Sequence, residues 1–194
     1  MILGLTGGMG CGKSTAVAMF AKAGSRILDS DRLIREQVLA DAEVRALLAE
    51  RFGPAVLLED GSVDRARLAA AAFSDATALA WLESVTHTRL FALWRQAFAS
   101  DPTAQWVVEV PLLFEKALEN WFDFTVCVAC SPDRQLARLE QRGLPRALAE
   151  QRISKQLPLA RKIELADFVL WNDGLPEFLQ AQVRQLIATL TVIR

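Results

Sequence analysis

The chain has 194 residues, 52% of them hydrophobic and 23% charged, with a formal net charge of −1. That suits one sizeable α/β domain with a subdomain, and gives no global reason to expect nucleic acid or an anionic membrane as partner. No apolar run approaches a membrane span, and no basic region precedes the first apolar run, so a signal peptide is not expected and a cytoplasmic protein is.

The first stretch, Met1 to Thr15, carries the strongest signal. Ile2, Leu3 and Leu5 read as a short buried strand, and Ala16 to Ala23 as a helix without Gly or Pro. Between them Gly7, Gly12, Lys13 and Ser14 fit G-x-x-x-x-G-K-[ST], the phosphate-binding loop. Glycines at 7, 8, 10 and 12 let the backbone take positive φ and approach an anion closely. Gly8, Gly10, Cys11, Gly12, Lys13, Ser14 and Thr15 are the candidate nucleotide-binding residues. Their N–H groups and the following helix start favour phosphate, Lys13 supplies a mobile charge, and the Ser14 hydroxyl is placed for Mg²⁺. A plain strand-to-helix turn accounts for one or two glycines, not for four followed by Lys-Ser.

Arg26 to Asp29 reads as a second strand ending in Asp29-Ser30-Asp31. These residues either cap the next helix or, if strands one and two are neighbours, present a carboxylate to a substrate hydroxyl or a metal-bound water. Residues 32 to about 104 have helical apolar spacing, broken at Phe52-Gly53-Pro54 and at Glu59 to Ser62, and ending at Asp101-Pro102. So long a segment between strands is a small helical insert, expected to cap a substrate.

Trp106 to Val110 is the third strand, apolar enough to be buried on both faces. Pro111-Leu112-Leu113-Phe114-Glu115 follows, either an exposed binding wall or a loop folded into the core. Glu109 is a possible metal-shell carboxylate, although no Asp ends this strand. Phe124 to Ala129 is the fourth strand. Cys127 and Cys130 read as buried structural thiols, since no second Cys/His pair completes a zinc site. Cys11 sits at a position of the phosphate loop that accepts many residue types, although a helix start can make a thiol reactive. Residues 131 to 162 are helical, with eight basic and three acidic residues. Arg134, Arg138 and Arg142 recur every fourth residue on one face. Such a stripe is a solvated face or a lid that brings positive charge to a transferring phosphoryl group. Gly143-Leu144-Pro145 breaks it. Phe168 to Trp171 is the fifth strand, Asn172-Asp173-Gly174 a turn, and Pro176 opens the last helix.

The organisation predicted is a P-loop kinase: a three-layer α/β/α core with a five-stranded parallel sheet, a helical insert and an arginine-rich lid. The core is expected at 1–31, 105–130 and 163–194, the insert at about 32–104 and the lid at about 131–162. No N-K-x-D motif supports a GTPase. A kinase for another small acceptor, such as a nucleoside monophosphate, is the alternative reading. A non-catalytic nucleotide-binding regulator is disfavoured by Asp31 and the lid arginines.

The phosphate loop with Asp29-Ser30-Asp31, Pro111 to Glu115, Arg152-Ile153 with Gln156, Ala166-Asp167, and Asn172 with Gly174 resembles the dephospho-coenzyme A kinase family over nearly the whole chain. His87-Thr88 departs from the family's usual His-Pro. The resemblance implies ATP-dependent phosphorylation of the ribose 3′-hydroxyl of dephospho-coenzyme A, the last step of coenzyme A synthesis. ATP with Mg²⁺ is the implied cofactor, small molecules are the partners, and the protein is expected to be a monomer or small homo-oligomer. By resemblance Asp31 orients and deprotonates the acceptor, and Lys13 with Arg138, then Arg142, neutralises charge. Ser14 binds Mg²⁺ and Asn172 joins the nucleotide side. Asp29, His87, Leu112, Leu113, Phe114 and Glu115 flank the acceptor.

Overall fold

The structure is a computed structural model that describes residues 1–193. Arg194, the last residue of the expected core segment, lies outside the described residues. The chain divides into two compact units, Met1–Leu28 with Thr103–Arg194, and Asp29–Pro102.

The first unit is built on a five-stranded parallel sheet in the order β2-β3-β1-β4-β5. Its strands are β1 (Ile2–Gly7), β2 (Arg26–Asp29), β3 (Trp106–Glu109), β4 (Phe124–Ala129) and β5 (Phe168–Trp171). β1 lies in the middle, with Leu3 in register with Val107 on one side and Phe124 on the other. Strands one and two, which the sequence reading allowed as neighbours, are not adjacent: β3 lies between them. Composition gives the reason. Trp106, Val107 and Val108 are all buried and suit an interior strand, whereas β2 exposes Arg26 and suits an edge.

Alternation along the strands sends side chains to two faces. On one, Leu3, Leu5, Val107, Val126, Val128 and Leu170 form a core with Ala16 and Phe20 of α1 (Lys13–Lys22). Leu179, Val183, Leu186 and Leu190 of the final helix complete it. On the other face, α8 (Leu159–Leu165) packs against β1 and β4. Gly4 faces Leu113 and Phe122 there, and a Cβ on it would meet them at 2.7 and 2.5 Å.

The second unit holds α2 (Ser30–Leu33), α3 (Ala42–Phe52), α4 (Arg65–Ala72) and the 25-residue α5 (Ala76–Ser100). Asp41, Asp64 and Asp75 each cap a helix by accepting two backbone N–H bonds. Leu33 to Leu39, expected as ordinary helix, instead contains a π-helical turn over Ile34–Val38. Leu39 N–H reaches back to the Ile34 carbonyl at 2.9 Å. Val38, Val44, Leu48, Leu68, Leu90 and Trp94 are buried, so the unit has its own apolar interior.

The basic stretch after β4 forms α6 (Pro132–Gln141), α7 (Arg146–Ser154) and then α8, and the last helix is α9 (Pro176–Ile193). Gly143, at φ 81°, separates α6 from α7.

Candidate active site

The loop from Gly7 to Gly12 joins the carboxyl end of β1 to the start of α1. Gly7 turns away from the sheet at φ 145°, and a Cβ there would lie 2.2 Å from the Val128 carbonyl. Gly12 sits in the left-handed region (φ 97°, ψ 30°) and provides no side-chain cap for α1. A Cβ at Gly12 would strike Asn172 Nδ2 at 2.1 Å. The first N–H groups of α1 therefore keep their capacity to bind an anion. Gly8 differs from the other three loop glycines: it has no positive φ, and it is small because Cys11 Sγ and Gln135 Nε2 press on it, at 2.8 and 2.9 Å from an added Cβ.

Lys13 Nζ donates to the Gly7 and Gly8 carbonyls, both at 3.1 Å, so its charge stays over the loop. Ser14 and Thr15 are exposed in the first turn of α1. The crest of the loop is gripped on both sides of Met9. Met9 N–H donates to Gln156 Oε1 at 3.3 Å, and Gln135 Nε2 donates to the Met9 carbonyl at 2.6 Å. Neither glutamine stands out in the sequence by chemistry. Gln156 entered only through a family motif, and Gln135 carried no signal.

Asn172 and Arg138 converge on the other end of the loop. Asn172 Nδ2 donates to the Cys11 carbonyl at 2.8 Å. Arg138 Nη2 donates to the Asn172 carbonyl at 2.7 Å and Nη1 to the Cys11 carbonyl at 3.5 Å. Beside them a cleft of about 330 Å³ is lined by Gly12, Thr15, Arg138, Arg142, Asn172 and Gly174. Of the three striped arginines, Arg138 is thus the one fixed against the phosphate loop.

Cys11 is buried. Hydrogen bonding by the Cys130 thiol is the main cause that lowers its pKa from 9.0 to about 7, with the Lys13 charge adding to it. The same bond and burial push Cys130 well above the thiol range.

The loop after β3 is divided. Leu113 is fully buried and Phe114 nearly so, whereas Leu112 is exposed. Lys162, predicted within a basic lid, is itself completely buried. Its ammonium donates to the Pro111 carbonyl at 2.9 Å and pairs with Glu115 at 2.8 Å. Glu115 Oε1 also accepts the Leu157 N–H at 3.0 Å, and Thr6 Oγ1 donates to the Pro111 carbonyl at 3.2 Å. Lys162 was missed as a fixing residue, because its sequence context is that of a solvated charge run.

The sequence model of the dephospho-CoA kinase family matches residues 1–177, from β1 into α9. The chain belongs to that family. The dephospho-CoA kinase of Thermosynechococcus vestitus is 39% identical over 190 residues, covering 97% of this chain and 94% of that protein. The crystal structure of TT1252 from Thermus thermophilus superposes with a TM-score of 0.86 at 32% identity, over 98% and 97% of the two chains. Dephospho-CoA kinase from Campylobacter jejuni superposes with a TM-score of 0.72 at 23% identity, over 97% and 96%, and shares the fold.

Two aspartates near β5 have structural work. Asp167 ties β5 to β4, accepting the Thr125 N–H at 2.7 Å and the Thr125 hydroxyl at 2.8 Å. Asp173 does the same for Ser131 beyond β4, at 2.7 and 2.9 Å. In the second unit, Asp29 caps α2 by accepting the Arg32 N–H at 2.9 Å, while Asp31 is exposed in the first turn of that helix. His87 lies along α5 with its ring 5.5 Å from that of Phe91.

Proposed function

We propose that this kinase transfers the γ-phosphoryl group of ATP to the ribose 3′-hydroxyl of dephospho-coenzyme A, giving coenzyme A and ADP. The observation that carries this reading is the phosphate loop itself, with an uncapped helix start and Lys13 folded over it, in a chain whose family match runs from residue 1 to 177. Backbone N–H groups of the loop and of α1 hold the triphosphate, and Lys13 adds a mobile charge toward the outer phosphates. Arg138 and Arg142 border the cleft at the same end of the loop and contribute the remaining positive charge.

A Mg²⁺ fits this site by the chemistry of its donors. Among the described residues no group of three or more His, Cys, Asp or Glu side chains is arranged to hold a metal. Magnesium commonly takes only one or two protein ligands and completes its shell with substrate phosphates and water. The exposed Ser14 hydroxyl is the residue that would hold it. When bound, Mg²⁺ supplies charge neutralisation for the phosphates.

Asp31 is the residue assigned to orient and deprotonate the acceptor hydroxyl. Asp29 caps α2, and the family resemblance gives the role of base to the second aspartate of the pair. On the acceptor side, Leu112 is the exposed member of the Pro111 to Glu115 loop. Leu113, Phe114 and Glu115 act behind it by fixing the loop.

The deciding experiment is ADP release by purified protein with ATP and Mg²⁺, comparing dephospho-coenzyme A with AMP. Turnover with dephospho-coenzyme A and a 3′-phosphorylated product is expected. Turnover with AMP alone, or none with either acceptor, would overturn the reading.

A further inference from the structure

Four of the six residues from Gly7 to Gly12 are glycines, and three of them hold positive φ. Such a backbone has little of its own to keep its N–H groups aimed at one anion. Met9 stands at the crest, between Gly8 and Gly10. Both of its backbone groups are held by side chains from outside the loop. The Met9 carbonyl accepts from Gln135 Nε2 at 2.6 Å, and the Met9 N–H donates to Gln156 Oε1 at 3.3 Å. A primary amide has a donor end and an acceptor end, and the two glutamines present opposite ends to one residue.

Each glutamine is itself fixed. Gln135 is buried in α6, where a Cβ on Gly8 would meet its Nε2 at 2.9 Å and one on Gly10 would meet its carbonyl at 3.0 Å. Arg138, one turn further along α6, bonds the Cys11 carbonyl, so one face of a single helix holds both the crest and the exit of the loop. Gln156 precedes Leu157, whose N–H donates to Glu115 Oε1 at 3.0 Å, and Glu115 pairs with the buried Lys162. The second grip is thus anchored in the ion pair that secures the loop after β3.

We propose that Gln135 and Gln156 are positioning residues for the kinase, which hold the crest at Met9 so that the phosphate loop has its anion-binding shape before ATP arrives. The inference rests on the phosphoryl-transfer reading and adds to it two residues that act through the backbone of Met9. Without the grips the loop samples other shapes, and ATP affinity falls with the fraction of time spent in the competent one. Losing one hydrogen bond at a partly buried carbonyl lowers that fraction by roughly tenfold. Once the triphosphate is seated, its own oxygens hold the loop N–H groups. The loss therefore falls on binding and not on the chemical step.

The test replaces each amide by an apolar side chain of the same length, Gln135→Met and Gln156→Met, with Gln151→Met, exposed on α7, as control. Calorimetric titration of the whole protein with ATP and Mg²⁺, without acceptor, is expected to show Kd raised by roughly tenfold in the first two variants and unchanged in the control. In steady state with dephospho-coenzyme A, the KM for ATP rises by the same factor, while kcat and the KM for the acceptor stay within about twofold. Hydrogen exchange of the peptide carrying residues 7–12 is faster in both variants without nucleotide, and saturating ATP restores the parent's protection. A merely structural role would lower the folded fraction, and with it kcat, at constant KM. That result, an unchanged Kd or unchanged loop exchange in either variant, or equal weakening by Gln151→Met would overturn the proposal. The titration needs no acceptor, so a failure of dephospho-coenzyme A as substrate is read apart from it.

Discussion

At the scale of single residues, Asp29 and Asp31 show how two like side chains in one motif take different work. Asp29 accepts the Arg32 N–H and starts α2, and an asparagine caps nearly as well as an aspartate. Asp31 holds no place in that cap. Asp29→Asn is therefore expected to leave stability and turnover close to the parent. Asp31→Asn is expected to lower kcat by roughly 100-fold or more while ATP binding is kept, since a general base contributes on that order. Steady-state kinetics beside ATP titration separate the two. A near-normal kcat for Asp31→Asn would remove it as the base. The residue types of the phosphate loop were legible in the sequence because backbone approach to an anion restricts each position. The split between Asp29 and Asp31 was not, since both readings need only a short carboxylate after a strand.

At the scale of elements, the segment after β4 departs furthest from its sequence pattern. Eight cations among residues 131–162 read either as a solvated face or as a lid that brings charge to a phosphoryl group; Lys162 is fully buried, which neither reading anticipates, and Arg138 is bonded to the phosphate loop and Asn172. Periodicity found these helices but not their partners, because a long side chain can hold its charge in water or bring it to a carbonyl with the same spacing. The Leu112 to Phe114 loop was undecidable for a related reason. An apolar run reads the same whether it meets substrate or Gly4, and it is the missing Cβ at Gly4 that gives Leu113 its place. Lys162 secures this loop through Pro111 and Glu115. Removing one partner of a buried ion pair costs about 3–5 kcal/mol. Lys162→Met is expected to destabilise by that amount, measured by denaturant titration, while Lys155→Met in the same basic stretch changes stability little. A loss under about 1 kcal/mol for Lys162→Met would show that the pair does not hold the loop.

At the scale of the molecule, the parallel sheet was readable because its strands are short apolar runs separated by helical patterns, a signature of strands covered on both faces. The strand order was not readable, since the residues between β2 and β3 form a unit of their own and no local spacing reports which strand β3 returns to. The main core joins the sheet to α1 and α9, with Leu190 completely buried in the last helix. Leu190→Ala is expected to cost about 2–5 kcal/mol while leaving kcat per folded molecule unchanged. Thermal and denaturant melts with activity at low temperature check both halves of that statement.

The far edge of the sheet carries one further consequence. β5 is a terminal strand, and at Trp171 its outward N–H and carbonyl are both taken by the side-chain amide of Gln182, at 2.9 and 2.8 Å. A single glutamine of α9 thus imitates the backbone of a neighbouring strand for one residue. An extended peptide from another molecule would have to displace that amide before it could add to the sheet here, so Gln182 acts as a guard against strand-by-strand aggregation.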